Sequence, residues 1–230
     1  MSILMLIQSG VFGLPGTMPM YIIGAVITAV LSYLIGSVNF CRMFSINNNC
    51  RSDVVELREK AGIKRFVLPL LLDLLKGIVC ATIGLFAMPG GGYICLAGLF
   101  CTLGHNYPVI YKFKSNGCAG GCAAFIGVML VFNPLMALVA IVIGLIIFIA
   151  TKYVNAFVLV FSLLCPILSY YNQLWKFEQG DDYFVYIIDF VLRVPFPFVL
   201  MLVVLIFYGN AIGKMVRGKE DKLNFKQKKQ

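Results

Sequence analysis

LGHNYPVIYKFKSNGCAGGCAAFIG, residues 103–127, holds the only histidine of the chain, His105, at the end of one apolar run; a polar turn and a glycine-rich stretch then lead into the next apolar run. Apolar runs on either side of a short polar turn are the pattern of consecutive membrane helices, which places the fold in the all-α integral membrane class with its chemistry carried in loops. Two readings of the turn follow. In the first, backbone N–H groups around Gly117, Gly120 and Gly121 cradle an anion at the start of the following helix, with Lys112 and Lys114 adding positive charge. In the second, the glycines let two helices approach closely and His105 caps a helix end.

Composition supports the membrane reading over the whole chain. Of 230 residues, 60% are hydrophobic and 13% charged, with mean hydropathy +0.92; a soluble domain carries about a quarter charged residues. At about 20 residues per crossing, the length accommodates about seven transmembrane helices in one polytopic domain, residues 1–230, and leaves no room for a second soluble domain. The first eighteen residues lack a basic n-region and are broken by Gly13, Pro15 and Gly16, so no cleaved signal peptide is expected. Most of the eight cysteines read as small buried hydrophobes; Cys118 and Cys122 have a metal-compatible spacing but no second ligand pair, so no metal is expected.

Taken in order, the first apolar segment covers residues 21–38, and the loop after it carries Arg42, Arg51, Arg58, Lys60, Lys64 and Arg65, which places it in the cytoplasm. A second segment at 66–88 contains Asp73 and Lys76, a Pro-Gly-Gly-Gly turn follows, and a third segment at 93–104 returns to His105. The uncharged run 122–151 is too long for one crossing; Asn133-Pro134 divides it into a short fourth and a longer fifth segment. Segments at 154–169 and 186–208 flank an outer loop with Trp175, Glu178, Asp181 and Asp182. Lys214 to Gln230 holds seven of the nineteen Lys and Arg residues, so residues 213–230 form a basic cytoplasmic tail. The expected orientation is N-terminus out and C-terminus in.

The resulting basic face suits anionic lipid headgroups or a phosphorylated substrate. Nucleic acid does not fit, because the charge lies along a membrane with no recognition helix, and a Walker-type loop is absent. Asp73 and Lys76, three apart, and Asp189 and Arg193, four apart, can each pair on one helical face. The second pair reads as structural; the first reads equally well as structural or functional, since ionisable residues inside a membrane are candidates for function.

Five strings in order, SYLIGSVNF at 32–40, LLLDLLKG at 70–77, GHNYPVIYKFK at 104–114, ATKYV at 150–154 and GKEDK at 218–222, resemble the bacterial acyl-phosphate:glycerol-3-phosphate acyltransferases of PlsY type. The resemblance implies a multi-pass protein of the bacterial plasma membrane, with active loops on the cytoplasmic side. It implies transfer of a fatty acyl group from acyl phosphate to glycerol-3-phosphate, giving lysophosphatidic acid for phospholipid biosynthesis, with no cofactor. It assigns His105 and Asn106 as catalytic, and Arg58, Lys76, Lys112, Lys114, Gly117, Gly120, Gly121, Lys152 and Asn155 as binders of substrate phosphate.

The chain also departs from the family pattern. NNCRSDVVE at 48–56 replaces a loop of small residues and introduces Asp53 and Glu56. The glycine-rich loop lacks the usual phosphate-binding lysine and threonine. Lys152 stands for arginine, Asn155 for serine, and Tyr208 where histidine is expected. Loss of several charged hydrogen bonds, each contributing about 1.5–3 kcal/mol, predicts an ordinary reaction that is abolished or nearly so, or a changed substrate. The alternative is a catalytically inactive paralogue that binds a lipid or phosphorylated ligand, or a partner membrane protein.

Overall fold

The computed structural model describes residues 18–47, 54–87, 93–112, 121–178 and 195–217. These residues form the helices α1 (Met18–Ser37), α2 (Phe40–Asn47), α3 (Val54–Ala87), α4 (Tyr93–Asn106), α5 (Cys122–Phe132), α6 (Pro134–Thr151), α7 (Val154–Glu178) and α8 (Pro195–Val216), with a 3₁₀ turn at Val109–Tyr111. Among the described residues, five stretches are long and apolar enough to cross a membrane: Ile22–Phe44, Val67–Ala87, Tyr93–Tyr111, Pro134–Thr151 and Val154–Asn172. Cys122–Phe132 and Pro195–Gly209 are shorter apolar helices. At 1.5 Å per residue, α5 is only about 16 Å long, half the thickness of a hydrocarbon core.

The breaks follow from side-chain chemistry. Pro134 occupies the first turn of α6, where its missing N–H costs nothing, and the extended Asn133 before it ends α5. The Asn133 side chain accepts a hydrogen bond from Asn172 Nδ2 at 3.1 Å, so α7 holds the corner. Lys152 ends α6 in the left-handed conformation (φ 61°), its N–H returning to Phe148 O at 2.7 Å.

Two expected boundaries differ. The basic segment after the first span is helical where described: Asn39 caps α2 by accepting the Arg42 N–H at 3.0 Å, and α3 begins at Val54 instead of residue 66. Helix-forming Glu, Leu, Arg, Lys and Ala between 54 and 61 continue the span into the basic region. α7 likewise runs to Glu178, beyond the expected end at 169. The Asp189–Arg193 pair lies outside the described residues.

Helices α1 and α4 meet through Gly36 and Gly104, and α3 and α5 through Gly77 and Gly127. A Cβ at Gly36 would collide with the Cys101 carbonyl, at Gly104 with that of Tyr33, at Gly77 with that of Ala124 and at Gly127 with that of Leu74. Each crossing is therefore reciprocal and backbone-to-backbone, the small-residue packing on which membrane helices rely when hydrophobicity cannot drive association. Around α5 the core is filled by Phe125, Val128, Met129, Phe161, Leu200 and Val204, all fully buried, with Phe125 and Phe161 edge to face at 5.4 Å.

Candidate active site

The two glycine crossings bring three chain breaks to one end of the bundle. α1 ends at Ser37, where its last carbonyls have no partners within the helix, and α2 begins at Phe40, where the first N–H groups have none within theirs. Facing this break, α3 carries Asp73 and Lys76 one turn apart. Lys76 Nζ donates to Gly36 O (3.1 Å) and Val38 O (2.7 Å), closing the C-terminal end of α1. Asp73 Oδ1 accepts the Phe40 N–H at 3.4 Å, at the start of α2. The base meets the negative end of one helix dipole and the acid the positive end of the next.

The same two side chains are ion-paired at 2.9 Å, with 3% and 2% side-chain exposure. At this burial each charge depends on its partner. Lys76 Nζ also lies 2.8 Å from His105 Nδ1; Asp73 Oδ1 is 3.8 Å from that nitrogen. His105 and Asn106 are both buried in the last turn of α4. Asn39 Nδ2 reaches His105 O at 3.5 Å, and Asn106 Nδ2 donates to Thr102 O at 3.0 Å.

Gly121, the residue before α5, adopts φ 83°, a left-handed conformation that favours glycine. It packs on this group: a Cβ there would lie 3.2 Å from Asn106 Nδ2 and 3.3 Å from His105 Cδ2. The turn after α4 is pinned by Tyr33 Oη, which donates to Tyr107 O at 2.7 Å, and by Arg42, whose guanidinium stacks 4.3 Å over the Tyr111 ring. Lys112 ends the 3₁₀ turn in the left-handed conformation (φ 53°) and is exposed.

A second polar pair lies at the same end. The Tyr208 hydroxyl, from α8, donates to Asn155 Oδ1 in the first turn of α7, and both residues are buried. The ring of the adjacent Phe207 meets Tyr107 edge to face at 4.7 Å, which ties this pair to the end of α4. Lys152, three residues before Asn155, is exposed. Tyr208→Phe removes the donor from a buried acceptor and should cost about 1–3 kcal/mol. Thermal unfolding followed by circular dichroism in detergent should show a lower melting temperature; an unchanged one would mean that the bond contributes nothing net.

The structure thus brings together His105, Asn106, Lys76 and Gly121. It places Lys112 on the adjoining turn, and Asn155 in the tyrosine pair at the same end. Arg58 lies within α3 with its side chain outside the described residues, as are Lys114, Gly117 and Gly120. The ammonium of Lys76 is surrounded by protein acceptors, so direct contact with a phosphate would have to displace one of them. Three contributors escaped the sequence reading: Asn39, Tyr33 and the carbonyls of Gly36 and Val38. An N-cap signal at Asn39, before a short apolar run, was available to find the first; the carbonyls carry no sequence signal.

The fold and this buried charged cluster define a helical integral membrane protein with an ionisable centre at one end of its bundle. The family model described as glycerol-3-phosphate acyltransferase matches residues 21–218, and the chain belongs to that family. A glycerol-3-phosphate acyltransferase of Thermoanaerobacter pseudethanolicus is 33% identical over 140 residues, covering 57% of this chain and 69% of the relative. That of Shouchella clausii is 27% identical over 218 residues, covering 89% and 98%. Among solved structures, the glycerol 3-phosphate form of the integral membrane acyltransferase PlsY superposes with TM-score 0.69 at 23% identity, over 87% of this chain and 96% of that one. The lysophosphatidic acid form gives 0.64 at 25% identity, over 86% and 94%.

Proposed function

We propose that this protein is a membrane glycerol-3-phosphate acyltransferase that forms lysophosphatidic acid for phospholipid synthesis. The family match over residues 21–218 carries the reading, and the buried Asp73–Lys76–His105 cluster supplies a centre for it. The glycerol-3-phosphate hydroxyl oxygen attacks the acyl carbonyl carbon of an acyl phosphate. The carbon–oxygen bond to phosphate breaks, and the hydroxyl proton leaves with inorganic phosphate. What this asks of the protein is placement of two anions and stabilisation of negative charge on the carbonyl oxygen and leaving phosphate.

In this reading His105 and Asn106 act at the reacting groups. Arg58, Lys112, Lys114, Lys152, Asn155 and the turn at Gly117, Gly120 and Gly121 hold phosphate. The chain forms one membrane domain with seven crossings in a bacterial plasma membrane, and residues 213–230 lie with the active loops in the cytoplasm. The positive residues concentrated there support that orientation.

One assay tests both chemistry and sidedness. Acyl phosphate and labelled glycerol-3-phosphate, added to sealed vesicles, should give labelled lysophosphatidic acid in inverted vesicles and little in right-side-out ones. Lys112→Ala with Lys114→Ala should raise the KM for glycerol-3-phosphate tenfold or more, as expected for loss of a charged hydrogen bond of about 1.5–3 kcal/mol. Absence of product from either orientation would reject the acyltransferase and leave the catalytically lapsed paralogue.

A further inference from the structure

We propose that Lys76 is a positioning residue that holds His105 in the Nε2–H tautomer, so that the imidazole presents a neutral hydrogen-bond donor toward the start of α5. The role of that donor rests on the acyl-transfer reading above; the tautomer does not. Four groups surround Lys76 Nζ: Gly36 O at 3.1 Å, Val38 O at 2.7 Å, Asp73 Oδ1 at 2.9 Å and His105 Nδ1 at 2.8 Å. The carbonyls can only accept, and an ionised carboxylate can only accept. A nitrogen so enclosed is an ammonium, whose three N–H bonds serve the three shortest contacts, Val38 O, His105 Nδ1 and Asp73 Oδ1, with Gly36 O sharing one of them; the contact with Nδ1 is therefore made to a lone pair. The ring proton then sits on Nε2.

This reverses the polarity of the Asp-His arrangement in hydrolytic triads. There a carboxylate takes the Nδ1–H and leaves Nε2 as a base. Here Asp73 Oδ1 stands 3.8 Å from Nδ1, with Lys76 making the shorter contact to that nitrogen. His105 is consequently unsuited to remove a proton through Nε2 and suited to donate one hydrogen bond to an anion. The Cδ2 edge, which adjoins Nε2 and lies across the ring from Nδ1, is the edge against Gly121. Among the described residues, the charged groups facing the imidazole are Asp73 and Lys76 from α3. Cys101 lies one turn earlier on α4 and Cys80 one turn further along α3, both buried and free thiols.

Because His105 is the only histidine, its ring nitrogens can be read without assignment ambiguity in the full chain labelled with 15N-histidine and reconstituted in lipid nanodiscs. At neutral pH the spectrum should contain one unprotonated nitrogen, Nδ1, and one protonated nitrogen, Nε2. In Asp73→Asn/Lys76→Met, which removes the pair together, the single-tautomer pattern should give way to a mixture. With acyl phosphate and glycerol-3-phosphate, kcat of this double variant should fall at least tenfold while it remains folded, with a melting temperature well above that of Lys76→Met alone.

A proton on Nδ1, an imidazolium, or an unchanged Nε2–H pattern in the folded double variant would overturn the proposal. The parent spectrum decides the tautomer even if the variant misfolds. A parent protein with the Nε2–H pattern but no product would support the tautomer assignment and reject only the acyl-transfer reading.

Discussion

Lys76→Met alone should lower stability by about 3–5 kcal/mol, the loss expected when one member of a buried ion pair is removed and the other stays charged. Three costs coincide in this variant. Asp73 is left as a nearly inaccessible carboxylate beside an apolar side chain, the terminal carbonyls of α1 lose their donor, and His105 Nδ1 loses its ammonium. Asp73→Asn/Lys76→Met should recover most of the stability, because an asparagine oxygen can still accept the Phe40 N–H and no charge is left unpaired. Melting curves of parent, single and double variants in one detergent read this directly. Equal melting temperatures for the single and double variants would show that the carboxylate is not what Lys76 neutralises.

Valine at Gly127 should prevent α3 and α5 from reaching their native spacing, and valine at Gly36 should do the same for α1 and α4. In both cases the new Cβ meets a carbonyl of the facing helix, Leu74 in one and Cys101 in the other. Backbone on that side cannot turn away as a long side chain can, so the cost should lie at or above the roughly 1–3 kcal/mol of ordinary overpacking. Activity should fall with it, because these crossings set the distance from the end of α1 to His105 on α4 and from Lys76 on α3 to Gly121 before α5. Gly209→Ala on α8 is the control: a Cβ there meets nothing within 4 Å, and alanine in a helix is favoured by about 1 kcal/mol over glycine. A monodisperse, active Gly127→Val protein would show that the helices can separate without loss of the centre.

How much of this was legible beforehand differs from element to element. The Asn133-Pro134 break needed only the local sterics of proline, and the structure places it there. The Asp73–Lys76 pair followed from a spacing of three on a helix. The start of α3 at Val54 has no comparable local signal: the charges between residues 54 and 65 have the pattern of a loop, whereas a helix can leave the bilayer and continue with polar residues.

By itself, then, the sequence determined a helical membrane protein, its main breaks, the pairing of Asp73 with Lys76 and the family to which the chain belongs. These rest on hydropathy, proline sterics and helical spacing, all properties of neighbours along the chain. Only the tertiary structure decided what the pair does. Lys76 closes the end of α1, Asp73 accepts from the start of α2, and the same ammonium holds His105, 29 residues away. Those partners include main-chain carbonyls and an N–H, which any residue type supplies, and their meeting depends on two glycine crossings that fix how the helices approach.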